Sequence, residues 1–141
     1  MLWVKTFFGI LFQTTLLGIF LYLPALTLNW PDALLFLTIH FLITILASAY
    51  LLIVKPASIE ARMNYDSETQ PKEDRLATFL MLSAIIVGLS LAPIDIFHLN
   101  LSSSFAGNIK NIGLGVYIIG MLLVMASMNA NEFAETTVNI Q

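Results

Sequence analysis

Cysteine is missing from the 141-residue chain, so neither a disulfide nor a thiolate metal site can form. Charge is scarce as well. Asp, Glu, Lys and Arg together make up 11% of residues, where soluble domains carry about a quarter. That is too little to wet a globular surface. The net charge is −3 and no basic patch stands ready to neutralise phosphates, which argues against a nucleic-acid partner. Two histidines, His40 and His98, are too few for a structural zinc site, and no metal is expected. What the sequence does have is apolar surface: 58% hydrophobic residues and a mean hydropathy of +0.87. Such a chain belongs in a bilayer.

A helix that crosses a hydrocarbon core of roughly 30 Å needs about 20 mostly apolar residues. Four stretches qualify, at 6–28, 33–54, 76–94 and 111–130. None alternates strictly between apolar and polar, which excludes barrel strands. The expected fold is therefore all-α, a polytopic membrane protein with four transmembrane helices. Between the first two spans, Asn29-Trp30-Pro31-Asp32 predicts a tight turn: Pro31 restricts the residue before it and Asp32 suits a helix start. The chain thus starts as an antiparallel helical hairpin, with Trp30 at headgroup level. The 55–75 segment, KPASIEARMNYDSETQPKEDR, holds most of the charge and reads as the longest water-facing loop.

Lys and Arg set the orientation. Lys5, Lys55, Arg62, Lys72 and Arg75 fall on one side of the four spans and only Lys110 on the other. The N-terminus, the 55–75 loop and the C-terminal end are accordingly expected in the cytoplasm. Lys110 can reach its own interface by snorkelling. The first span is too long for a secretory signal core, and LPALTLNW offers no small-x-small cleavage site.

An ionisable group deep in a span is a functional clue by default. His40, near Thr38 and Thr44, is the only well-buried candidate, and a neutral imidazole hydrogen-bonded to a neighbouring helix is the expectation. Gln13, Thr14 and Thr15 read as interhelical polar contacts for the same reason. Asp95 and His98, three residues apart, share a face if the third span extends that far, and are expected at the interface. Pro93 predicts a kink or an end just before them. In the fourth span, Gly113, Gly120 and Ser127 recur every seven residues and predict a close-packing face. Ser127, Asn131 and Glu135 continue it at i, i+4 spacing, so a polar patch is expected where the helix leaves the membrane.

That exit segment, NEFAETTVNIQ, resembles the stretch that introduces the catalytic half of the isoprenylcysteine carboxyl methyltransferase family, where Asn-x-Phe-Phe runs into Val-x-x-Gln. Asn131, Phe133, Val138 and Gln141 match; Ala134 departs from the second Phe. Upstream, YLPALTLNWPDALLFL is similar to the family's first hairpin turn and KPASIEARM to its Pro-x-x-x-x-x-Arg segment. PKEDR, the third span and Asp95 follow in family order, so the resemblance covers nearly the whole chain.

Family members continue with a basic Arg-Gly-His stretch, a Gly-Pro-Tyr, an Arg-His-Pro-x-Tyr-x-Gly motif and a later Glu-rich segment, which bind S-adenosylmethionine. The resemblance therefore implies the N-terminal membrane region of such a methyltransferase, expected to be inactive without its cofactor module. It implies methyl transfer from a sulfonium to the carboxylate of a lipid-modified cysteine or similar lipophilic, possibly prenylated, acceptor. No catalytic residue is assigned; Asn131, Glu135 and Gln141 are the expected substrate- or cofactor-proximal residues, Glu135 through the helical stripe. The other readings are a phospholipid N-methyltransferase-like enzyme and a non-enzymatic small membrane transporter or assembly subunit.

Overall fold

The computed structural model describes residues 1–63, 72–101 and 107–130. Among them lie five α-helices and one π-helical turn, and no strand: α1 (Leu2–Ala25), α2 (Pro31–Val54), α3 (Pro56–Met63), α4 (Lys72–Ile94), the π-turn (Asp95–Leu99) and α5 (Gly107–Ala130). The all-α expectation holds. Four helices are long and apolar enough to cross a membrane. At 1.5 Å per residue a 24-residue helix such as α1 spans about 36 Å, more than the hydrocarbon needs. The protein is a multi-pass membrane protein.

Each helix begins and ends for a local reason. α1 stops where Leu26 turns left-handed (φ 54°) and its N–H closes onto the Leu23 carbonyl. Pro31 opens α2 at a position where a missing N–H costs nothing. The turn between them is the predicted hairpin, and Gly18 faces Leu37 across it closely enough that a Cβ there would lie 3.5 Å from Leu37 Cδ1. Pro93 does not end its helix. The chain continues into the π-turn, which absorbs the break in the hydrogen-bond ladder.

The π-turn also ties two helices together. His98 Nε2 donates to the Pro24 carbonyl at 2.8 Å, satisfying an acceptor in the last turn of α1. Asp95 Oδ1 accepts the Leu101 N–H at 2.8 Å. The two side chains thus reach separate partners in these two bonds. Edge-on aromatic contacts, Tyr22 to Trp30 and Trp30 to Phe97, line the same end, with ring centroids 6.3 and 5.3 Å apart.

At the opposite end lies α3, which hydropathy alone does not reveal. Ile59 is 6% exposed and packs with Leu51 and Leu52 from the end of α2, joined by Leu2 and Met128 from α1 and α5. These contacts bring the start of α1 and the ends of α2 and α5 to one end of the bundle. α1 and α2 contact each other along their length, and α4 packs on α1. α5 makes a thinner contact, along α2, and none of its described side chains is buried.

Candidate functional site

The seam between α2 and α5 holds the polar chemistry. His40 is 4% exposed, and its Nδ1 is hydrogen-bonded to the Tyr117 hydroxyl on α5, 77 positions away. The expected pairing of His40 with a neighbouring helix is present. Phe36 closes the cluster, its ring centroid 4.8 Å from Tyr117 and 6.5 Å from His40. Further along the seam Lys110 Nζ lies 2.8 Å from Asp32 Oδ1, both side chains about half exposed.

A phenol donates readily, and among the described residues no second partner competes for this one. We assign its proton to the bond with Nδ1, which leaves the hydrogen of the neutral ring on Nε2. His40 Nε2 is buried and has no partner. An unpaired buried donor costs about 1–3 kcal/mol. The threonines repeat the theme. Thr6, Thr15 and Thr38 each donate to the carbonyl four residues earlier, whereas the buried hydroxyls of Thr14 and Thr44 have no partner.

Towards α3 the seam opens into a groove of about 390 Å³. Thr6, Gln13, Thr44 and Ser48 are its polar lining; Met63, Met121, Met125 and Met128 supply the thioethers. The remainder is aliphatic or glycine. The three methionines of α5 stand at i, i+4 and i+7, on one face. Unbranched thioether side chains adapt to irregular apolar shapes. Met63 comes from α3, where the Thr6 hydroxyl meets its sulfur at 3.6 Å. Thus α3 forms the floor of the groove. His40 and Tyr117 stand one helical turn beyond Thr44 and Met121 and meet across the seam, outside the lining of the groove. Beyond them a smaller cavity, about 180 Å³, is lined by Asp32, Phe36, Lys110 and Tyr117 among others.

Two sequence expectations change here. Gly113, Gly120 and Ser127 are exposed, and a Cβ added at either glycine would meet nothing within 4 Å. They are not the packing face within this chain. α5 is rotated so that Tyr117 reaches His40, a hydrogen bond that a bare glycine contact does not supply. Asn131, Glu135 and Gln141, the expected substrate- or cofactor-proximal residues, lie outside the described residues. Tyr117 and the methionines escaped attention, although Tyr117, Met121, Met125 and Met128 follow helical spacing in the sequence.

The geometry defines a class: an α-helical multi-pass membrane protein with a largely apolar, methionine-lined groove between α1, α2, α3 and α5. Comparison of the chain with protein-family models, curated proteins and solved structures returns no match.

Proposed function

We propose that this chain forms the membrane-embedded, acceptor-binding part of an S-adenosylmethionine-dependent methyltransferase. The acceptor is a lipophilic acid, with a prenylated cysteine carboxylate the first choice. The observation that supports it is the groove floored by α3: it is apolar, it faces lipid, and it runs to the end of the bundle where α5 leads into Asn131–Gln141. Those residues carry the resemblance to the methyltransferase family.

The groove does not fit the methyl donor. S-adenosylmethionine carries an ammonium, a carboxylate, a sulfonium and a ribose, and among the described residues no charged side chain lines the groove. We assign it to the acceptor's tail and derive no step at the donor. A tail that partitions into lipid at about 0.8 kcal/mol per CH₂ reaches such a groove already concentrated around it. The acceptor carboxylate, with an ordinary pKa near 3.5, is ionised at neutral pH and needs no base from the protein. What remains for these helices is to fix the tail and hold the carboxylate at the interface in one orientation. The excess of Lys and Arg at the α3 end supports a cytosolic location for that interface.

A farnesylcysteine carrying a photoreactive group on its tail tests this in membranes containing the protein. Saturable labelling of the 121–128 segment, competed by unlabelled farnesylcysteine and not by phosphatidylethanolamine, is expected. Labelling spread evenly over the lipid-facing surface would overturn the assignment.

A further inference from the structure

We infer that a second cavity, between α2, α4 and the start of α5, holds a phospholipid with a phosphoethanolamine headgroup. Its phosphate meets Lys110, its primary ammonium meets Asp32, and one acyl chain lies along α4. The cavity shares no lining residue with the methionine groove, so the inference stands whether or not the chain serves a methyltransferase. It also lies at the opposite end of the bundle from α3, so under that reading the lipid held here is not the methyl acceptor.

The shape suits a chain. α4 packs on α1 and α5 runs along α2, and the space left between them measures about 300 Å³. Along α4 its lining extends from Gly88 to Ile96, about 12 Å at 1.5 Å per residue. Leu21, Phe36, Leu89 and Ile96 make apolar walls. Gly88 and Ala92 keep the trough open, and a Cβ added at Gly88 would meet nothing within 4 Å. The walls belong to helices long and apolar enough to cross a membrane, so the surroundings supply acyl chains.

The headgroup follows from the charges at one end of this trough. Asp32 lies in the first turn of α2 and Lys110 in the first turn of α5, and both line the cavity. They pair at 2.8 Å with each side chain about half exposed, so both remain open to a ligand. The pair uses one of three ammonium N–H groups and one of two carboxylate oxygens. An exposed pair is weakly held, and its charges are readily shared. Because the pair is neutral, an anionic lipid would set its charge beside Asp32 as well as Lys110. A phosphocholine head balances both charges, but its quaternary nitrogen has no N–H to give the carboxylate. Phosphoethanolamine laid antiparallel to the pair sets each charge beside its opposite and donates to Asp32.

The test uses the whole chain carrying Trp3→Phe, in phosphatidylcholine nanodiscs. Trp30 is then the sole tryptophan, and it lines the cavity. Trace lipids brominated on the acyl chain near the headgroup report contact by quenching its fluorescence. Brominated phosphatidylethanolamine should quench as though enriched about fivefold over brominated phosphatidylcholine, the preference that partly exposed charge contacts supply. Brominated phosphatidylglycerol should show no such enrichment. Gly88→Leu fills the trough and Lys110→Ala removes the phosphate's partner; each should bring quenching down to the phosphatidylcholine level, with helicity by circular dichroism unchanged. Excess water-soluble glycerophosphoethanolamine should relieve nothing. Equal quenching by all three lipids would mean ordinary boundary lipid and overturn the inference. So would a preference for phosphatidylglycerol, a preference that survives both substitutions, or relief by the soluble headgroup.

Discussion

At the scale of single residues, the seam between α2 and α5 depends on one hydrogen bond inside the membrane and one ion pair at its edge. They are not equivalent. Tyr117→Phe deletes the bond to His40 and leaves a second imidazole nitrogen unmet, so unfolding in mixed detergent should show a loss of roughly 1 kcal/mol. Lys110→Ala removes an ion pair whose members are half exposed, and the same titration should move by less than about 0.5 kcal/mol. The sequence announced His40 as a group in need of a partner, because a polar ring in a span has few other choices. It could not name Tyr117, since that depends on how α5 is rotated about its own axis. The regular spacing of Gly113, Gly120 and Ser127 pointed to the opposite rotation. Periodicity marks a face as distinct; it does not say whether the neighbour is protein or lipid.

Among the elements, the spans were legible and their ends were not. Hydropathy placed the apolar centres of α1, α2, α4 and α5, but α4 begins at Lys72, several residues before the predicted start. Lys, Glu and Arg are good helix formers, so the helix runs on into water where an apolarity criterion stops. α3 was hidden for a related reason. Eight residues are too few to hold a helix alone in water, and only the cluster around Ile59 reveals why this one forms. Ile59→Ala should therefore destabilise α3 by about 2 kcal/mol or more. Limited proteolysis is expected to show cutting within 56–63 while the α1–α2 hairpin stays protected. Groove binding should fall with it, because Ile59 and Met63 line the floor.

For the molecule as a whole, the lack of cysteine makes topology directly measurable. In intact cells a membrane-impermeant maleimide should label Lys110→Cys and spare Lys5→Cys and Lys55→Cys; the reverse pattern would place the α3 end outside and remove the proposed methyltransferase geometry. Activity is a separate question. In a methyltransferase assembled from this chain, Asn131→Ala should lower methyl transfer and leave membrane insertion intact, and unchanged turnover would take Asn131 out of the site. The helical architecture was open to reading because lipid imposes it on any chain this apolar. The groove was not, because it exists only once three stretches distant in sequence, α1, α2 with α3, and α5, have met.

The uneven attachment of α5 has a mechanical consequence. Among the described residues its polar ties, at Lys110 and Tyr117, lie in the first half of the helix, while the second half borders the groove with pliable thioethers. The second half is held by apolar contact alone, through Met128 on the Ile59 cluster, which is the softer attachment. Traffic into the protein should then pass sideways, through a lateral doorway in the leaflet beside α3, with no need to breach the aromatic ring at the far side.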